Sequence, residues 1–125
     1  MTPCTVFVVE DDVDTRDMLG RFLELEGFHV ELASNGRQAL DRLNSGIHPC
    51  IILLDLMMPV MDGWQFRRQQ VLDQSLASIP VIVVSAAGKD RIADIDATAY
   101  LSKPVDLEQL LDRVTRHCAC SHGGA

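Results

Sequence analysis

No stretch of this chain stays apolar long enough to cross a membrane; its longest apolar runs are only strand-length. The first residues, Met1-Thr2-Pro3-Cys4, lack the basic and apolar regions of a signal peptide and lead straight into a strand pattern. The sequence therefore reads as cytoplasmic. Basic residues are scarce: 11 Lys and Arg against 18 Asp and Glu give a formal charge of −7. That argues against a nucleic-acid surface, which needs clustered cations, and suits an acidic site around a bound cation. The four cysteines, Cys4, Cys50, Cys118 and Cys120, lack the spacing of a zinc ribbon or a small disulfide scaffold. Repeats, low-complexity tracts and linkers are missing too. A chain of 125 residues, 47% apolar and 23% charged, suits one domain over 1–125, with its core from about 5 to 116 and a flexible tail at 117–125.

Three segments are continuously apolar: "TVFVV" (5–9), "CIILL" (50–54) and "PVIVV" (80–84). Such strands belong in a parallel sheet covered on both faces, and Cys50 reads as a small core residue in one of them. "FHVELA" (28–33) alternates instead, as an edge strand would, and "AYLS" (99–102) is a short fifth strand. Helical patterns lie between. "DTRDMLGRFLELEG" carries a stripe of Met18, Leu19, Phe22 and Leu23, with Asp14 as N-cap and Gly27 as stop. "GRQALDRLNSG" is stopped by Gly46, "DGWQFRRQQVLDQ" has a poorer stripe, and "AGKDRIADIDA" (87–97) is short and weakly helical. Leu107, Leu110, Leu111 and Val114 make the clearest helix. Alternating strands and helices predict a doubly wound α/β fold. It has a five-stranded parallel sheet, order 2-1-3-4-5, with right-handed crossovers, helices on both faces and a short fourth helix. Ligands in such sheets bind at the carboxyl ends of the strands, near the switch point.

That rule gathers residues far apart in sequence: Glu10-Asp11-Asp12 after the first strand, Asp55 after the third, Ser85 ending the fourth, and Lys103-Pro104 after the fifth. Two carboxylates about 4 Å apart repel by roughly 4 kcal/mol at an effective dielectric near 20. Three together need protons or a cation. With no His or Cys on this rim, a hard divalent ion with oxygen ligands is indicated: Mg²⁺, with Mn²⁺ as the alternative. A carboxylate can attack phosphorus to form an aspartyl phosphate. The cation, Lys103 and the Ser85 hydroxyl would then answer the charge on the phosphoryl oxygens. Taken singly each residue has a plainer role: Asp55 as a turn former, Glu10-Asp11-Asp12 as a helix N-terminal cluster, Lys103 as a solvated lysine. Their joint occurrence at four strand ends favours the site.

"VVEDD", "LLDLMMPVMDG", "VVSA" and "YLSKP" together resemble the response-regulator receiver domain of two-component signalling, chemotaxis-regulator-like, from about Thr5 to Arg116. The resemblance implies a flavodoxin-like fold and a set of roles. Asp55 would be the phosphoacceptor. Asp11, Asp55 and the Met57 backbone carbonyl would be metal ligands, with Glu10 acting largely through water. Ser85 and Lys103 would bind phosphate, and Ser85 and Tyr100 would be switch residues. Pro59 and Gly63 would shape the turn after the acceptor, and a cis Lys103-Pro104 bond would re-aim the lysine. Asp12 has no role in the family pattern and reads as a solvated acid; Trp64 reads as helix packing. The implied partners are a sensor histidine kinase or a histidine phosphotransfer protein, which supplies the phosphoryl group, and a downstream protein target. A homodimer is compatible; no nucleic acid or membrane is expected to bind.

The chain departs from the family in two places. The stretch from Ser85 to Lys103 is short, and Asp96-Ala97 stands where a Gly usually precedes the fifth strand. The family's output face beside that stretch is therefore in doubt. Met57 and Ala87, two residues after Asp55 and Ser85, cannot hydrogen-bond an attacking water, which implies slow self-dephosphorylation; beyond that and self-catalysed phosphotransfer no enzyme activity is expected. Three alternatives stay open: a non-phosphorylated binding module, an aspartyl-phosphate hydrolase (Met57 stands where such enzymes carry a second Asp), and a flavin binder, which would need a Gly/Ser-rich loop where three acids stand. The tail "HCACSH" (117–122) could hold a soft metal, although a fraying helix end accounts for it more simply. Nothing in the sequence separates a stand-alone protein from one domain of a longer one.

Overall fold

The computed structural model describes residues 4–86 and 95–117. In chain order the elements are β1 (Thr5–Val9), α1 (Val13–Leu25), β2 (His29–Ala33), α2 (Gly36–Asn44), β3 (Ile51–Leu54), α3 (Gly63–Leu72), β4 (Val81–Ser85), β5 (Ala99–Ser102) and α4 (Leu107–His117). The strands form one parallel sheet in the order β2-β1-β3-β4-β5, as the patterning predicts.

Alternation along the three central strands divides the core into two layers. Phe7, Val9, Ile52, Leu54, Val81 and Val83 face α2 and α3, packing with Leu40, Leu43 and Phe66. Val6, Val8, Ile51, Leu53, Ile82 and Val84 face α1 and α4, packing with Leu19, Leu23, Leu110 and Val114. Both sides of each central strand are buried, which is why these segments read as unbroken apolar runs. β2 closes one edge with His29 exposed and Val30, Glu31 and Leu32 half-buried.

Several local expectations need correction. The N-cap of α1 is Asp12, not Asp14: its carboxylate accepts from the Thr15 backbone N–H at 2.9 Å and the Thr15 hydroxyl at 2.6 Å. Asp12 is exposed, as a solvated acid would be, and it also caps the helix; the Thr15 hydroxyl, followed by its backbone N–H, holds its pKa below the usual value. Met18 lies on the exposed side of α1 (41%), because the buried stripe narrows to Leu19 and Leu23. Cys50 is only partly buried and precedes β3 rather than lying in it.

The weak stripe of α3 has a physical cause: one of its buried positions is a glutamine. Gln70 is fully buried, and its amide donates to the carbonyls of Leu76 at 2.9 Å and Ile79 at 3.1 Å. It thereby satisfies the backbone of the turn leading into β4. Of the segment expected to form a short fourth helix, 87–94 lies outside the described residues; Ile95–Thr98 is non-helical. The expected tail cluster, apart from His117, also lies outside them.

Candidate functional site

The site is assembled by the backbone ladder continuing one residue past the strands. The Glu10 N–H donates to Ala33 O at 3.0 Å, the Asp55 N–H to Val9 O at 3.0 Å, and the Lys103 N–H to Ser85 O at 3.1 Å. Each functional residue is therefore fixed by its neighbouring strand, and all emerge on the carboxyl rim. Ser85, the last residue of β4, is 1% exposed.

Carboxylate oxygens of Glu10, Asp11 and Asp55 all lie within 4.8 Å of one another. Glu10 and Asp55 are buried, at 2% and 4% exposure, and Asp11 is the least buried of the three. The Lys103 ammonium is 2.7 Å from Glu10 Oε1 and 3.6 Å from Asp55 Oδ2. Glu10 Oε2 also accepts from the Asp12 backbone N–H at 3.1 Å. In this state Lys103 is thus paired chiefly with Glu10, a contact the sequence does not announce.

Burial, and then the neighbouring Glu10 charge, push the Asp55 carboxyl from its usual 3.8 to about 7, against the pull of Lys103. For Lys103, burial alone would lower the pKa. Its hydrogen bond to Glu10 and the charges of Asp55 and Glu10 outweigh that and raise it. Three carboxyls, two of them buried, against one ammonium leave the cluster with an excess of acid, and the side-chain atoms able to ligate a cation are all carboxylate oxygens. That donor set fits a hard divalent cation.

The loop after Asp55 is tightly built. The Met57 N–H donates to Asp55 Oδ1 at 3.3 Å. Met61 donates to Pro59 O at 2.8 Å across Val60, whose φ is +70°. A bond between residues two apart around a positive φ is a strained γ-turn, and Val60 is β-branched. Met61 O then accepts from the Gly36 N–H at 2.9 Å, tying the loop to the start of α2. Asp62 caps α3 with a reciprocal bond to Gln65. Because Val60 is 80% exposed, its strain can be removed without touching packing. Val60→Gly is expected to raise stability by about 1 kcal/mol, the strain relieved less the entropy cost of glycine. Thermal unfolding would show a midpoint a few degrees higher.

The Lys103-Pro104 peptide is cis, as the resemblance implied. Tyr100 is 42% exposed: its hydroxyl donates to Ile95 O and accepts from the Ala97 N–H at 3.2 Å. Trp64 is half-buried and packs on the core layer beneath α2 and α3. Ala87 lies outside the described residues. Sequence reasoning missed Gly36, Arg67 and Gln70, whose roles depend on contacts between distant segments.

A family model described as response regulator receiver domain matches residues 6–115. Response regulator MprA of Mycolicibacterium vanbaalenii is 41% identical over 116 residues, covering 90% of this chain and 49% of the relative. MprA of Mycobacterium avium is 41% identical over 113 residues, covering 87% and 48%. The chain thus spans about half the length of the curated relatives it matches. Among solved structures, the chemotaxis response regulator CheY4 of Vibrio cholerae superposes with a TM-score of 0.82 at 28% identity, covering 93% of this chain and 99% of that one. The receiver domain of a signal transduction histidine kinase from Syntrophus aciditrophicus gives 0.85 at 29%, covering 93% and 90%.

Proposed function

The chain belongs to the response regulator receiver domain family, and from that premise we propose that Asp55 accepts a phosphoryl group from a phosphohistidine on a partner protein. Acceptance switches a protein-binding surface through Ser85 and Tyr100. One observation carries this reading: a buried carboxyl at a strand end, with two further carboxylates and one lysine converging on it.

A cation would be held by Asp11, Asp55 and the Met57 carbonyl, with Glu10 beside it; when bound, Mg²⁺ or Mn²⁺ neutralises charge on the phosphoryl oxygens. The chain's own residues do the rest. An Asp55 carboxylate oxygen attacks phosphorus as the bond to the donor imidazole breaks; the donor ring, protonated on its other nitrogen, keeps the electron pair and leaves as neutral imidazole. Lys103 exchanges part of its contact with Glu10 for the new phosphoryl oxygens, and the Ser85 hydroxyl donates to another. Movement of Ser85 vacates space into which Tyr100 turns, and the balance between two surface states shifts.

The donor is a sensor histidine kinase or a histidine phosphotransfer protein, and the output is a protein target. Among the described residues no helix is long and apolar enough to cross a membrane. The decisive experiment mixes the protein with Mg²⁺ and a small phosphodonor. Intact mass should show one added phosphoryl group, which does not form when Mg²⁺ is chelated beforehand; no gain from small donors or phosphohistidine proteins would reject the proposal.

Met57, half-exposed beside the acceptor, offers an attacking water no hydrogen bond. The acyl phosphate should therefore be long-lived. Met57→Asn combined with Ala87→Glu should speed its decay by roughly fivefold for each hydrogen bond of about 1 kcal/mol supplied to that water. A time course of intact mass after removal of donor measures it, and an unchanged decay would dismiss this account of the lifetime.

A further inference from the structure

The outward position of Tyr100 is held from two sides of a single peptide. The carbonyl of Asp96 and the N–H of Ala97 belong to one planar trans unit and point in opposite directions. The N–H donates to the Tyr100 hydroxyl at 3.2 Å, and the same hydroxyl donates to Ile95 O. On the other side, Arg67 of α3 donates from Nε to Asp96 O at 2.8 Å. A cationic donor on the carbonyl polarises the peptide and makes its N–H a better donor. Turning that peptide would break both contacts together.

Arg67 is itself aimed. Its Nη1 donates to Gln70 Oε1 at 2.8 Å, and the Gln70 amide nitrogen is committed to Leu76 O and Ile79 O. Gln70 is fully buried, so the guanidinium is held from the core rather than by a mobile surface partner. A hollow of about 220 Å³ lies alongside, lined by Trp64, Arg67, Ile95 and Asp96 among others. Trp64 also borders the acceptor loop at Leu56, Met57 and Met58. α3 is itself bonded to the acceptor loop, Gly63 N–H donating to Leu56 O at 2.9 Å, so one helix touches both that loop and the peptide that holds Tyr100.

We propose that Arg67 is a positioning residue for the switch: by gripping the 96–97 peptide from α3 it holds Tyr100 outward and sets the balance against the inward state. The proposal rests on the receiver reading only in assigning the inward state to the phosphorylated protein; the latch itself belongs to the unmodified chain. Releasing it should raise the inward population and, by linkage, tighten binding of a phosphoryl mimic.

Tyr100 is the chain's one tyrosine and Trp64 its one tryptophan, so each gives an unambiguous signal. In the full chain, Arg67→Met should move the NMR signals of the Tyr100 ring away from their wild-type positions towards an inward environment. Arg67→Lys, which keeps a cationic donor, should move them less. Titration with beryllofluoride and Mg²⁺, followed by Trp64 fluorescence, should show affinity about threefold to tenfold tighter in Arg67→Met. In a Tyr100→Phe background, which keeps the ring and removes the hydroxyl, the same substitution should have little further effect.

A residue that merely supported α3 would act equally in both backgrounds. That outcome, or unmoved Tyr100 signals in a folded Arg67→Met protein, overturns the latch. Should Arg67→Met not fold, Arg67→Lys carries the same cycle at smaller amplitude. Failure of the wild type to bind beryllofluoride counts against the phosphoacceptor reading instead, and the Tyr100 signals still decide the latch.

Discussion

Asp55→Asn is expected to take up no phosphoryl group and, without divalent cation, to be more stable than the wild type at pH 8. The two effects share a cause. A carboxyl that is 4% exposed, with Glu10 beside it, ionises reluctantly; its pKa of about 7 lies well above the ordinary 3.8. A raised carboxyl pKa contributes stability that is fully present below the unfolded value. That stability is lost as pH rises through the folded one. The whole shift corresponds to at most about 4 kcal/mol, and relaxation around the charge leaves roughly 1–3 kcal/mol as the expected gain in the Asn variant at pH 8. The gain should shrink as pH falls from 7 towards 4, where both side chains are neutral. Added Mg²⁺ should restore the wild type and leave the variant nearly unmoved, since a ligand binding only the folded form at ten times its Kd contributes about 1.4 kcal/mol. Thermal melts at pH 5 and pH 8, with and without Mg²⁺, together with intact mass after phosphodonor, read every part. Phosphoryl gain by the variant would place the acceptor elsewhere. Equal melting at pH 8 would mean that Asp55 carries no burial penalty.

That arrangement was legible in the sequence to an unusual degree, for an identifiable reason. In a parallel sheet the strand ends are marked by the switch from apolar run to polar residue. Glu10, Asp55, Ser85 and Lys103 stand at those switches. Strand order followed from the contrast between unbroken central strands and the alternating β2. What stayed hidden depends on pairing between segments whose sequences carry no mark of it. Nothing in "FRRQQ" says that Gln70 rather than Gln69 turns inward to satisfy Leu76 and Ile79, or that Arg67 reaches Asp96 across 29 residues. The cap of α1 was misread because Asp12 and Asp14 are both good N-cap residues. Only the reach of Asp12 to Thr15 decides between them. The resting partner of Lys103 was equally unmarked: the more buried, closer acid, Glu10, holds it.

Gly63→Ala should do more damage than any other single methyl group added near the site. A Cβ on Gly63 would sit 2.6 Å from the carbonyl oxygen of Asp55 and 2.7 Å from the Cα of Leu56, closer than real Cβ atoms come to such neighbours. Both are backbone atoms, and the Gly63 N–H is already bonded to Leu56 O at 2.9 Å. No side-chain rotation can relieve the contact, so α3 and the acceptor loop must separate. Overpacking of this kind costs about 3 kcal/mol, a fall of roughly 10 °C or more in the thermal midpoint. Because the displaced residue is the acceptor proposed above, phosphorylation should slow further, by about 10²-fold for a shift near 1 Å. Gly46→Ala supplies the contrast. Its φ of +115° disfavours any side chain, but nothing lies within 4 Å of the added carbon. It should cost stability by about 1 kcal/mol through backbone strain and leave the phosphorylation rate as it was. Melting curves and phosphorylation time courses on both variants separate the two mechanisms. Gly63 acts through the space its missing side chain leaves to Asp55, so a normal phosphorylation rate in Gly63→Ala would show that the loop can yield without moving its acceptor.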